Sequence, residues 1–220
     1  MKIINLSYPI DEKTPLYGNN GSIELKKISD IKSGKTSNNT KVSMPLHAGT
    51  HIDFPNHFYE SGQTLKDFET NFWFFDNPLV IRIKPRSYLI KDEIIVEIKD
   101  LDINNYDILI ISTGSWLFRS SSRYINENYG IHPDMATIIR EKLPNVRTMM
   151  LDTISISSYT DREIGREAHR RFLDPKKPIL IIEDVNLEEL NNNIVKRIIV
   201  SPLNIINVDG VPCSIYAEVE

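Results

Sequence analysis

Cysteine is nearly absent from this chain of 220 residues. The single thiol, Cys213, excludes an intramolecular disulfide, and its place between Pro212 and Ser214 in an apolar stretch marks it as packing rather than as a nucleophile. No apolar run approaches the roughly 20 residues that a membrane-spanning helix needs. The opening Met1-Lys2-Ile3-Ile4-Asn5 reaches polar residues too soon for a signal peptide, so a cytoplasmic protein is expected. A basic excess is missing as well. With a net charge of −4 there is no field to hold a phosphate backbone, which argues against nucleic acid and for a small-molecule partner. Linkers, repeats and low-complexity segments are lacking too. The longest flexible polar run, Ser33 to Thr40, reads as a surface loop, and residues 1–220 are expected to form one α/β domain.

Histidine, by contrast, is concentrated. Three of the five histidines fall within His47-Ala-Gly-Thr-His51-Ile-Asp53-Phe-Pro-Asn-His57. On an extended backbone His47, His51 and Asp53 point to one side, with neighbours about 7 Å apart. A helix would also pair His47 with His51, but Gly49, Thr50, Ile52 and Pro55 are poor helix formers, so the extended form is predicted. Imidazole and carboxylate together suit zinc, manganese or iron better than magnesium or calcium.

Along the chain, Lys2 to Tyr8 reads as a strand and Thr14 to Gly18 as a turn that leaves Tyr17 on a loop. Ile23 to Ile28 alternates like a half-buried strand, and Lys41 to Leu46 leads into the histidine motif. Phe58-Tyr59 and Phe72-Trp73-Phe74-Phe75 bring aromatic area toward the proposed site, in runs that are more often core than substrate contacts. Leu79 to Lys84, Tyr106 to Ser112 and Val146 to Leu151 are strand-like, and Glu93 to Ile98 fits a strand or a short helix. Pro133 to Leu143 reads as a helix, with His132 outside the site. A second helix is signalled by Thr160 with Glu163 as a capping box and by an apolar line through Ile164, Ala168 and Phe172, with His169 at its edge. Pro178 to Ile182 is a buried strand that places Glu183 at its end, where functional groups collect in α/β folds. Ile194 to Val200, Leu203 to Val208 and a last segment to Val219 complete the strands, with a turn at Asp209-Gly210.

The motif HxGTHxDxPxH, matched at every fixed position from His47 to His57, resembles that of the cyclase family of metal-dependent hydrolases, whose best-known members are bacterial kynurenine formamidases. The resemblance extends through Asn5-Leu6-Ser7 with Thr14-Pro15, Ser112-Thr113-Gly114, Gly130-Ile131, Ala168-His169-Arg170, Ile182-Glu183 and Gly210-Val211-Pro212. It implies the family's swivelling β/α fold and one or two divalent transition ions per chain, zinc first and manganese second. By the same resemblance His47, His51 and Asp53 bind one ion, His169 binds a second, Asp53 and Glu183 bridge, and His57 is the catalytic acid and base. Two divalent ions against two carboxylates leave excess positive charge, which would draw the pKa of a water there toward neutrality.

The implied reaction is hydrolysis of an amide C–N bond in a small molecule such as an N-formyl aromatic amine, by a homo-oligomer, dimer or tetramer. Ring opening of a cyclic amide or lactone, as in isatin hydrolases, and a metal-binding module without turnover are the alternatives. Tyr17 stands where kynurenine formamidases carry a tryptophan, which makes it the substrate-binding candidate. Ser214 stands where the family often has an arginine.

Overall fold

Ile108–Ser112, Thr148–Leu151 and Leu180–Glu183 are buried along their whole length, as continuous apolar runs must be when a sheet is covered on both faces. The computed structural model describes residues 2–101, 105–190 and 193–220. In chain order the elements are β1 (Lys2–Asn5), β2 (Glu24–Ser29), β3 (Asn39–Ser43), β4 (His51–Asp53), β5 (Phe74–Phe75), β6 (Pro78–Arg82), β7 (Leu89–Ile90), α1 (Asp92–Ile98), β8 (Ile108–Ser112) and α2 (Ser122–Asn126). There follow β9 (Gly130–Ile131), α3 (Met135–Lys142), β10 (Thr148–Leu151), α4 (Arg162–Phe172), β11 (Leu180–Glu183), β12 (Val195–Pro202) and β13 (Gly210–Val219).

A mixed sheet runs β5-β12-β13-β4-β11-β10-β8-β6, with β1 also on β13. The β6, β8, β10 and β11 strands are parallel, whereas β4 lies antiparallel to both β11 and β13. Because β12 also comes back against β6, the sheet is nearly closed on itself. The register sets up the site: Glu183 lies opposite His51, and Gly210 opposite Asp53. Side chains alternate along β4, so Ile52 enters the core with no exposed surface while His51 and Asp53 turn to the other face. Burying one such isoleucine contributes roughly 1.5–3 kcal/mol. A one-residue slip would put His51 and Asp53 into the apolar core instead, which strongly specifies the register.

Three expectations need correction, and a fourth reading, of aromatics as core or as substrate contacts, is settled toward the core. The Leu203–Val208 segment is not a strand; it is the connection between β12 and β13, with Leu203, Ile205 and Ile206 exposed. The β2–β3 hairpin is exposed on both faces rather than half-buried, because each strand pairs only with the other. Helix α4 is capped by Asp161, which accepts from the Ile164 amide at 3.2 Å, while the Thr160 hydroxyl is engaged by Ser158 Oγ at 2.7 Å. Finally, Phe72, Trp73 and Phe75 pack with Phe54 and Phe68 in the core and do not line the site. Of the segment left open between strand and helix, Asp92–Ile98 is helical, and Cys213 is buried as expected.

Candidate metal centre

Only part of the histidine motif is extended. His51 and Asp53 share one face of β4, but His47 precedes a turn at Gly49, whose φ of +66° is one that a residue with a Cβ adopts only under strain. That turn folds the His47 ring back over the strand. The ring then packs so closely on Gly210 that a Cβ there would lie 2.5 Å from His47 Cε1. His57 follows from Pro55–His57, a single 3-10 turn opened by proline, and its ring lies 4.2 Å from that of His47, centre to centre.

Two histidines from distant elements converge on two carboxylates. His51 Nε2 is 3.4 Å from Asp53 Oδ1 and 3.4 Å from Glu183 Oε2. His169 Nε2 is 3.4 Å from Asp53 Oδ2 and 3.5 Å from Glu183 Oε1. These separations are long for hydrogen bonds, which centre near 2.9–3.0 Å. They match ligands that share an ion: donors about 2.0–2.1 Å from a tetrahedral metal stand about 3.3–3.5 Å from each other. Each carboxylate thus turns one oxygen toward His51 and the other toward His169.

The remaining atoms of these rings are fixed. His51 Nδ1 donates to Gly49 O at 2.8 Å and His169 Nδ1 to Gly165 O at 3.0 Å, so each presents Nε2 to the carboxylates in the orientation that a metal requires. Glu183 Oε1 accepts from the Ile156 amide at 2.6 Å and from Ser155 Oγ at 3.2 Å. Asp53 Oδ2, in a residue only 1% exposed, has no hydrogen-bond partner. A buried carboxylate oxygen left without a donor is costly unless a cation faces it. This donor set of imidazole and carboxylate fits a divalent transition ion.

The electrostatics agree. Burial pulls the His169 pKa down, but Asp53 and Glu183 outweigh it and bring the pKa to about 10. His47 is likewise depressed by burial, yet Asp53 and Asp209 raise it to about 9. His51 is driven well above the ordinary value by the same two carboxylates that His169 meets, again against burial. Burial raises Asp53 and Glu183, but the histidines win and hold both below the usual range. The site is built to balance buried anions with positive charge, whether protons or metal supply it.

Asp209 is the residue that sequence reasoning missed. Its Oδ2 accepts from His47 Nε2 at 2.8 Å and from His57 Nδ1 at 2.9 Å. An Asp-Gly pair reads as a turn, and nothing local announces its second use. Above the centre lies a cavity of about 300 Å³, walled by Tyr17, Phe58, Ser157, Arg162 and Arg166. Tyr17 meets Tyr159 edge-on at 5.6 Å, and Phe58 stacks on His169 at 4.9 Å. Hence His47, His51, Asp53, His57, His169, Glu183 and Tyr17 all border one cavity, while His132 stays apart beside Asp134.

Comparison with known proteins gives the family and the fold. Residues 4–158 match the family model described as putative cyclase, and the chain belongs to that family. It is 24% identical over 211 residues to a kynurenine formamidase of Geobacillus thermodenitrificans, spanning 95% of this chain and 93% of the relative. Among solved structures, isatin hydrolase A from Labrenzia aggregata superposes with a TM-score of 0.81 at 18% identity, covering 100% of this chain and 94% of that one. A potential metal-dependent hydrolase with cyclase activity gives 0.77 at 21% identity, with 98% and 96% covered. The chain thus has a cyclase-family fold that carries candidate metal-binding groups. No helix among the described residues is long and apolar enough to cross a membrane.

Proposed function

We propose that the chain hydrolyses an amide C–N bond in a small molecule, with an N-formyl aromatic amine of the N-formylkynurenine type as the leading substrate. The observation that carries this reading is the convergence of His51, His169, Asp53 and Glu183 at 3.4–3.5 Å on the floor of the cavity. His47, His51, Asp53, His169 and Glu183 would hold one or two divalent ions, zinc before manganese; the two-sided presentation of both carboxylates favours two. Such ions supply a Lewis acid for the amide carbonyl and lower the pKa of a nearby water.

The remaining steps belong to the protein. His57, steadied by Asp209, takes the proton of the attacking water and passes it to the leaving nitrogen. Tyr17 and Phe58 flank the aromatic part of the substrate. A cavity of about 300 Å³ is at the lower limit for small-molecule sites. It suits one ring better than a long side chain, and it also admits a cyclic amide or lactone, the second reading. The partner we propose for the β2–β3 hairpin is a second copy of the chain. The hairpin exposes Leu25, Ile28, Ile31 and Val42, and residues 22–43 carry five lysines against two acids in a chain of net charge −4.

The test is kcat/KM for N-formylkynurenine, N-formylanthranilate and isatin with zinc- and manganese-loaded protein. We expect N-formylkynurenine to be cleaved less efficiently than the smaller amides. An efficiency above about 10⁴ M⁻¹s⁻¹ on N-formylkynurenine would show that Tyr17 does not disfavour it. No turnover of any of the three with metal bound would leave a different substrate or a metal-binding module.

A further inference from the structure

The helix that delivers His169 to the centre also delivers two arginines to the cavity wall. Arg162, Arg166 and His169 stand at i, i+4 and i+7 on α4, within about 60° of one another around its axis. All three line the same cavity. The acids of that helix, Glu163 and Glu167, lie about 100° and 140° round from Arg162. Glu167 is taken by Arg171 at 2.8 Å and approached by Arg170 at 3.8 Å, whereas among the described residues neither Arg162 nor Arg166 is ion-paired with a carboxylate. Arg162 instead lies near the Tyr17 hydroxyl and over the Tyr159 ring at 5.5 Å.

A solvated helix face explains two exposed arginines on most surfaces, but it does not explain these. Two divalent ions held by Asp53 and Glu183 would already make the floor of the cavity positive. Guanidinium groups added to the wall above it repel that charge unless the molecule filling the cavity is an anion. Their fork of donors is shaped for carboxylate, sulfonate or phosphate oxygens.

We infer that Arg162 and Arg166 are specificity residues that bind an anionic substituent of the substrate, so that the amide or cyclic amide taken by this enzyme is an organic anion. This rests on the hydrolase reading for the word substrate, although the anion site itself does not. Along α4, Arg166 lies about 4.5 Å and Arg162 about 10.5 Å beyond His169. The anionic group is therefore placed about one aromatic ring away from the bond that is cut, which the small cavity also demands. Tyr17 and Phe58 hold the ring between the two ends.

The experiment measures, by calorimetry on zinc-loaded protein, the Kd of formanilide, 4-formamidobenzoate and 4-formamidobenzenesulfonate, alongside their turnover. The sulfonate is included because it is a poor metal ligand. Both anions should bind at least about tenfold more tightly than formanilide, the energy of a charge-assisted contact. Arg162→Gln and Arg166→Gln should each remove most of that preference while leaving the zinc content and the melting temperature unchanged. Equal binding of all three, no detectable binding of the anions, or a preference that survives in the double variant would overturn the proposal. So would a preference for the carboxylate alone, since that marks an anion on the metal rather than on arginine. Selective binding without hydrolysis would sink the hydrolase reading and leave the anion site standing.

Discussion

Asp209 Oδ2 accepts from His57 Nδ1 at 2.9 Å, joining a ring at the cavity wall to a carboxylate 152 positions later in the chain. The contact exists because β13 pairs with β4 in a register that sets Gly210 opposite Asp53. It gives His57 one orientation and one tautomer, with the proton on Nδ1.

Replacing Asp209 with asparagine should therefore act on rate through His57. We expect kcat to fall by about 10–100-fold with metal content retained and KM little changed. A variant that loses its metal would show that Asp209 serves the ion through His47 instead.

His57→Ala should keep its metal and lose about 10²–10⁴ in kcat. His57 can place a ring nitrogen within 4.8 Å of the ligand atoms of His47 and Asp53. Metal analysis therefore decides between an acid and base and a further ligand: depletion of the ion would assign it to the coordination shell.

Asp53→Ala and Glu183→Ala should be the most depleted of metal, since each carboxylate offers one oxygen to the His51 side and one to the His169 side. Elemental analysis that finds both variants fully loaded would contradict the arrangement. His169→Ala should lose less, having one ligating nitrogen to give.

Much of this centre was legible because the motif packs four candidate ligands and bases into eleven residues. Its geometry was less so. The extended reading holds for His51 to Asp53, but His47 arrives by a turn that depends on Gly49 at φ +66°. Glu183 was visible as a carboxylate ending an apolar strand, and the antiparallel register brings it opposite His51. Asp209 was not visible, because its role comes from a strand pairing that local pattern does not encode. Arg162 and Arg166 look like ordinary polar helix positions until the His169 side of α4 is known to face the cavity. Leu203 to Val208 has strand-like composition, yet strand formation requires an edge to pair with, and β12 and β13 already pair with each other there.

Metal removal should expose the pH dependence of the cluster. His47 and His169, raised to about 9 and about 10, add stability that is complete below their unfolded pKa of about 6.5. That contribution is lost as the pH climbs from there through about 9 and 10. Asp53 and Glu183, both lowered, add stability that is present above about 4 and lost as the pH falls further. Metal-free protein should thus melt progressively lower between pH 7 and 10, whereas zinc-loaded protein, whose imidazoles bind the ion rather than protons, should change little. Thermal melts of the two forms across that range check this, and parallel curves would contradict it.

The most direct test of the proposed activity is to strip the protein with a chelator and titrate zinc or manganese back, measuring bound ion per chain and the hydrolysis rate of N-formylanthranilate together. We expect negligible turnover without metal and a rate that rises with occupancy to a plateau at one or two ions per chain. Turnover by the stripped protein equal to that of the loaded one, or full occupancy with no hydrolysis of this substrate, N-formylkynurenine or isatin, would contradict it.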